Sequence, residues 1–276
     1  DLLKYEKAAM ATAEYRKKPE GARDTVRVER SFWSHEKRYP LVVLINSGTA
    51  SASELLVGAL QDHDRAVVVG QPSFGKALLM QGLPLSDGST MWLVVGHVRT
   101  PCGRVIQRQY RGITRREYFR LARAERDTAG RPACHSESGR TLYGGGGIYP
   151  DVGLPEPEPE PLWLARVHED DLPLKWVGGY LTSTGAALPS LDTLAAHAAL
   201  PTAAVESFRV LAAADGVEIP ADGDPRLQRT LVRTVAFAKW GEAGFYRLVA
   251  VTDPTVATAM QQFERAARIL STLKEP

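Results

Sequence analysis

The sequence predicts an α/β fold, built from parallel βαβ units and followed by an α-helical C-terminal region. Three observations predict it. Leu41-Val42-Val43-Leu44-Ile45-Asn46 and Ala66-Val67-Val68-Val69-Gly70 are continuous apolar runs rich in β-branched residues, the pattern of strands buried on both faces. Between them Leu55, Leu56, Ala59 and Leu60 recur at helical spacing, and Asp62-His63-Asp64 ends that helix. Far downstream, beyond a run of alternating Pro and Glu, the composition shifts to alanine and leucine.

In chain order, residues 1 to about 14 read as a helix, with Leu2, Leu3, Ala8, Ala9 and Ala13 on one side. Thr25 to Phe32 alternates as a strand, Val26 and Val28 against Arg27 and Arg30. The βαβ unit follows. Met91 to Val98 is a further apolar strand, entered by the turn Asp87-Gly88-Ser89. Residues 108–139 are polar and arginine-rich, with a helix at Arg115 to Glu125. Gly144 to Gly147 reads as a flexible turn, since no strand–Gly–helix context or lysine makes it a phosphate loop. Pro155 to Pro161 is a stiff, extended linker. Leu191 to Ala198, Ala203 to Ala214 and Pro225 to Trp240 are predicted helices. Asp224-Pro225 and Asp253-Pro254 each set an N-cap before a proline at the first helical position. Val256, Met260, Phe263, Ala267 and Leu270 form one amphipathic stripe.

A right-handed βαβ unit places the carboxyl ends of both strands on one edge of the sheet, roughly 4.8 Å apart. Ligands of open α/β sheets bind at such an edge. Ser51 leaves the first strand there, and Gln71-Pro72-Ser73-Phe74-Gly75-Lys76 leaves the second. Ser51-Ala52-Ser53-Glu54 also has the form of a capping box, and a lone lysine is ordinarily a solvated charge. Spacing by itself leaves structural and catalytic readings of the pair open.

Further residues carry a resemblance. Asn46-Ser47-Gly48-Thr49-Ala50-Ser51-Ala52-Ser53-Glu54 is similar to the nucleophile segment of the carboxyl-terminal processing peptidases, also called tail-specific proteases. Gly58-Ala59-Leu60-Gln61-Asp62-His63, Phe74-Gly75-Lys76, Asp87-Gly88-Ser89, Thr100-Pro101, Gly103-Arg104 and Ile106-Gln107 continue it in order. Gly147-Ile148-Tyr149-Pro150-Asp151 resumes it after the 108–139 excursion. The resemblance implies a ClpP/crotonase-like core, a serine endopeptidase activity, Ser51 as nucleophile and Lys76 as general base. Thr49 stands where the family has a serine. The family also has a glutamine four residues after the lysine, where it orients the base. Here that place is Met80, and Gln81 follows. Adjacent strand residues face opposite ways, so Gln81 serves the dyad only if a bulge re-aims it.

A serine hydroxyl is a poor nucleophile until a base takes its proton. Lysine can take it only when neutral, and its reference pKa of about 10.4 requires desolvation to approach neutrality. The apolar neighbours Phe74, Ala77, Leu78, Leu79 and Met80 suggest such a pocket for Lys76. An acyl-enzyme oxyanion needs aligned donors, and the Ala52 backbone N–H at the helix N-terminus is one. The family's second donor lies in a glycine-rich turn that is expected to precede Asp1. On this reading residues 1–154 are the peptidase core, lacking its N-terminal part. Residues 155–162 are the linker and 163–276 a helical C-terminal domain, a bundle or cap with no motif that assigns it a role.

The 276 residues suffice for one large domain or two smaller ones. A formal net charge of +2 is no nucleic-acid footprint. Arg115, Arg116, Arg120, Arg123 and Arg126 read as the solvated face of a helix. No apolar run approaches the roughly 18 residues that cross a membrane. Cys102 and Cys134 flank the excursion and could be bridged or remain two thiols. The six histidines show no ligand spacing, so neither a metal nor a cofactor is expected. The resemblance implies a polypeptide substrate, membrane-associated ones included, and a periplasmic or other extracytoplasmic bacterial setting. It admits oligomers. The alternative is a non-catalytic ligand- or protein-binding member of the same fold; an acyl-CoA enzyme of the crotonase type ranks behind both, because those enzymes use no Ser–Lys pair.

Overall fold

The computed structural model describes residues 9–15, 26–30, 39–155, 158–185, 188–220 and 225–272. The chain divides into two compact units, one of residues 1–156 with 258–276 and one of residues 157–257. The segment 163–276 is thus shared between them.

The first unit holds the predicted βαβ motif. Strand β3 (Val42–Ile45), helix α1 (Ala52–Asp62) and strand β4 (Val67–Gly70) follow one another, and β3 pairs with β4 in parallel from Val42 opposite Val67 to Ile45 opposite Gly70. A short strand β9 (Val152–Gly153) pairs in parallel on the other side of β4, giving the order β3-β4-β9. Central β4 is buried on both faces, as its unbroken valines require. Val68 joins Ile45, Val57, Ala77, Val98, Ile106 and Ile148 in one core. Val67 and Val69 point the other way, against Ala266 and Ile269 of helix α9 (Phe263–Thr272). Each such fully buried valine is worth roughly 1.5–3 kcal/mol. Strand β3 departs from its expected double burial, with Leu44 41% exposed. The reason is topological: β3 lies at the end of its sheet among the described strands.

A second sheet is antiparallel, in the order β2-β1-β6-β5. Its members are β1 (Ala9–Tyr15), β2 (Val26–Arg30), β5 (Leu78–Pro84) and β6 (Thr90–Arg99). The helix expected over residues 1–14 is corrected here: residues 1–8 lie outside the described ones, and Ala9–Tyr15 is a strand. Ala11 and Ala13 are buried two residues apart, the period of a strand. Alanine fits either element, and pairing with β2 and β6 decides for the strand. Of the strand expected at 25–32, the described residues 26–30 form β2, residues 25, 31 and 32 lying outside the described ones; the strand expected at 91–98 is present in β6, and the Asp87-Gly88-Ser89 turn joins β5 to β6 with Leu85 N–H donating to the Ser89 carbonyl at 2.8 Å. Helix α2 (Arg115–Ala124) lies in the 108–139 excursion, and strands β7 (Ala133–His135) and β8 (Thr141–Tyr143) form a hairpin. Cys102 and Cys134 are bridged, with Cα atoms 6.2 Å apart.

The second unit contains α3 (Leu162–Glu169), α4 (Leu172–Thr184), α5 (Leu191–His197), α6 (Thr202–Ala214) and most of the remaining helical chain. Its core gathers Leu164, Leu172, Trp176, Leu194, Phe208, Leu231 and Leu248. Trp176 stacks on Tyr180 at 4.6 Å between ring centroids. Helices α3 and α4 were not predicted. Helix α7 (Pro225–Thr252) contains the helix expected from Pro225 to Trp240, which ends at the non-helical backbone of Gly241 (φ 66°), and a second helical stretch follows it. The single stripe expected from Val256 to Leu270 is two helices, α8 (Pro254–Met260) and α9, parted by a turn at residues 261–262. Asp253 caps the first, its carboxylate accepting the Thr255 N–H at 2.8 Å.

Candidate active site

The candidate site lies where β3 and β4 end. Two loops leave the sheet there, residues 46–51 and 71–77, and the backbone stitches them together. Gln71 N–H donates to the Ile45 carbonyl at 3.1 Å, and Phe74 N–H to the Thr49 carbonyl at 2.9 Å. Asn46 shapes the first loop by accepting the Gly48 N–H on its side chain at 2.8 Å.

Ser51 ends this loop as the N-cap of α1, at φ 60° and ψ −123°. A non-glycine residue rarely occupies such backbone geometry, and it costs of order 1–3 kcal/mol. A serine on a strained strand-to-helix turn presents its hydroxyl outward, and Ser51 is exposed. The capping-box arrangement with Glu54 is present. Its firm half is Glu54 Oε2 accepting the Ser51 N–H at 2.9 Å. The Glu54 N–H also goes to the Ser51 carbonyl at 2.9 Å. Ala52 follows as the first helical residue, where backbone N–H groups have no intrahelical partner.

Glu54 is the organising group that sequence reasoning missed, reading it only as a cap. Its side chain is fully buried and accepts four hydrogen bonds. Oε2 takes the N–H groups of Ser51 and Lys76, each at 2.9 Å. Oε1 takes the Ser73 hydroxyl at 2.5 Å and the Gly75 N–H at 2.6 Å. The backbone nitrogens of Ser51 and Lys76 thus meet on one oxygen atom. Burial pushes the Glu54 carboxyl above the usual carboxylate range, against the pull of those four donors.

The glycine run supports this from below. It is not the flexible turn expected: Gly144, Gly146 and Gly147 are buried. A Cβ on Gly147 would stand 2.1 Å from the Ser73 carbonyl oxygen, so only glycine allows the approach. Ser73 and Ile148 then exchange two bonds, Ser73 N–H to the Ile148 carbonyl at 3.0 Å and Ile148 N–H to the Ser73 hydroxyl at 2.6 Å.

The Lys76 side chain is exposed. Among the described residues no apolar pocket encloses it, because its apolar neighbours are committed elsewhere. Ala77 lies in the core, and Phe74 packs on Tyr118 and Phe119 of α2 at 5.0 and 5.1 Å. Gln81 of β5 stands opposite Leu93 of β6, exposed, and its side chain makes no hydrogen bond among the described residues. The ladder does shift between Leu79 and Met80, but the additional residue, Val95, belongs to β6. The alternation of β5 itself is therefore not reset. Met80 is 48% exposed, opposite Val94. Arg115, Arg116, Arg120 and Arg123 are exposed along α2, as a solvated face should be.

Residues 3–116 match the model of peptidase family S41. Over 62 residues the chain is 55% identical to a carboxyl-terminal-processing protease of Synechocystis sp., covering 22% of this chain and 14% of that protein. Over 84 residues it is 40% identical to a carboxy-terminal-processing protease of Bartonella bacilliformis, covering 30% of this chain and 19% of that protein. The chain thus spans less than a fifth of the length of these relatives. A solved photosystem II D1 C-terminal processing protease overlaps 55% of this chain and 29% of its own, at 28% identity. Its TM-score of 0.35 is too low to carry an argument about the fold. The resemblance read from the residues holds across the Ser51 and Lys76 segments.

Proposed function

We propose, from the match of residues 3–116 to peptidase family S41, that this chain carries the Ser–Lys dyad of a serine endopeptidase. Ser51 Oγ attacks the scissile carbonyl, and neutral Lys76 Nζ takes its proton. The tetrahedral oxyanion meets the Ala52 N–H, backed by the dipole of α1. Lys76 returns the proton to the departing amine, which leaves an ester on Ser51. Water, deprotonated by Lys76, hydrolyses that ester and restores both groups. The substrate is a polypeptide, the core is of the ClpP/crotonase type within residues 1–154, and the setting is extracytoplasmic.

The observation that carries this reading is the backbone of Ser51, strained at φ 60° and fixed on the same Glu54 oxygen as Lys76. A helix cap alone requires no such strain, since most N-caps sit in ordinary extended geometry. Gln81 takes no part in this reading, because the alternation of β5 is not reset and nothing turns its side chain toward Lys76 in place of the glutamine that Met80 replaces.

The exposure of Lys76 favours a second reading, a non-catalytic binding member of the same fold. Hydrolysis of unfolded casein separates the two. The peptidase reading expects activity that falls at least a hundredfold in Ser51→Ala and in Lys76→Ala, on the order of the loss of a general base. Equal hydrolysis by wild type and Ser51→Ala would leave only the binding reading.

A further inference from the structure

The lysine loop is held from two sides, and only one of them is Glu54. The other is the excursion that interrupts the family resemblance. Tyr118 of α2 donates its hydroxyl hydrogen to the Gly75 carbonyl. That same hydroxyl oxygen accepts from Gln107 Nε2 at 3.2 Å. Gln107 Oε1 in turn accepts the Ala77 N–H at 2.9 Å. Gly75 and Ala77 are the residues on either side of Lys76. The carbonyl before the lysine and the N–H after it therefore belong to one hydrogen-bonded ring, closed through Tyr118 and Gln107.

We infer that Tyr118 is a positioning residue for Lys76, acting through this ring; the inference rests on the peptidase reading above. Three features make the ring stiff. Gln107 has a further bond from Nε2 to the Arg108 carbonyl at 2.9 Å, which fixes its amide plane. The Tyr118 ring lies 5.0 Å from Phe74, so its hydroxyl cannot swing away without breaking that contact. Helix α2 is itself tied down at its end, where buried Glu125 pairs with Arg108 and Arg131 and accepts from the Tyr149 hydroxyl. An exposed lysine side chain has many rotamers, and its base can act only if its stem starts from one place. With Glu54 on the N–H of Lys76 and the ring on its two neighbours, that stem starts from a fixed backbone.

No motif marks this role, because Tyr118 falls two residues past the family match, which ends at residue 116. Its signal is the topology that brings a residue 43 positions downstream onto Gly75.

Tyr118→Phe keeps the ring and its packing and removes only the hydroxyl. In the full chain acting on casein, kcat is expected to fall roughly tenfold with KM unchanged, as for a mispositioned catalytic group. The pH dependence of kcat/KM should move from that of wild type, while the thermal midpoint stays within about 2 °C. Gln107→Glu breaks the ring from its other side, removing the donor to Tyr118 while keeping a carboxyl oxygen for Ala77. It is expected to lower kcat in the same way, and it serves if Tyr118→Phe folds poorly. Arg116→Ala, on the exposed face of α2, is the control that should match wild type. An active wild type with unchanged kcat and pH profile in both ring variants would overturn the positioning role. Loss of activity that merely tracks a lowered thermal midpoint would overturn it too. An inactive wild type would instead overturn the peptidase reading.

Discussion

Ser51 and Glu54 carry opposite costs for the same arrangement. Ser51 takes on a strained backbone, while Glu54 takes on full burial of a carboxylate that four donors then satisfy. Strain at Ser51 makes a stability prediction separate from activity. Glycine accepts positive φ freely and alanine does not. Ser51→Gly should therefore be more stable than Ser51→Ala, by about 1 kcal/mol, in urea denaturation followed by circular dichroism. An equal or more stable Ser51→Ala would mean that the backbone at this turn is unstrained. At this scale motif and strand order both led to Ser51, Lys76 and Ala52 as candidates, and the backbone nitrogens of Ser51 and Lys76 share one Glu54 oxygen. The sequence did not reveal the work of Glu54 or Ser73. Glu54 matched a local cap pattern that accounts for only one of its four bonds, and the other three come from residues 19 to 22 positions away.

At the scale of elements, the βαβ unit was readable because continuous valines admit one structure, a central strand. Ala9–Tyr15 was not, because alanine-rich sequence suits helix and strand alike and long-range pairing chose between them. Helices α3 and α4 were obscured by Asp170, Asp171 and Pro173, which interrupt the apolar period from Leu164 to Trp176. The glycine run was misread because glycine marks close approach as well as freedom, and only the fold shows the Ser73 backbone against it. The excursion bearing α2 hangs between the Cys102–Cys134 bridge and the Glu125 pairs. Closing a loop over a separation of 32 residues is worth about 3–4 kcal/mol in the chain-entropy account. The double substitution Cys102→Ser with Cys134→Ser should lower the unfolding free energy of the first unit by about that amount. An unchanged urea midpoint would show that the Glu125 pairs alone hold the excursion.

For the molecule as a whole, each compact unit has its own core, and the site belongs entirely to the first. The α/β class with a helical C-terminal region was legible from composition and period. The antiparallel sheet was not anticipated as a sheet, because pairing partners as distant as β1 and β6 leave no local mark. The proposed peptidase works by covalent chemistry at the Ser51 hydroxyl, which intact-protein mass spectrometry reads after treatment with a fluorophosphonate probe. Wild type should gain a single adduct, mapped to Ser51 by peptide digestion. Ser51→Ala should gain none, and Lys76→Ala should label at least a hundredfold more slowly, on the order of the loss of a general base. A wild type that stays unlabelled, or a Lys76→Ala variant that labels at the wild-type rate, would contradict the Ser51–Lys76 dyad.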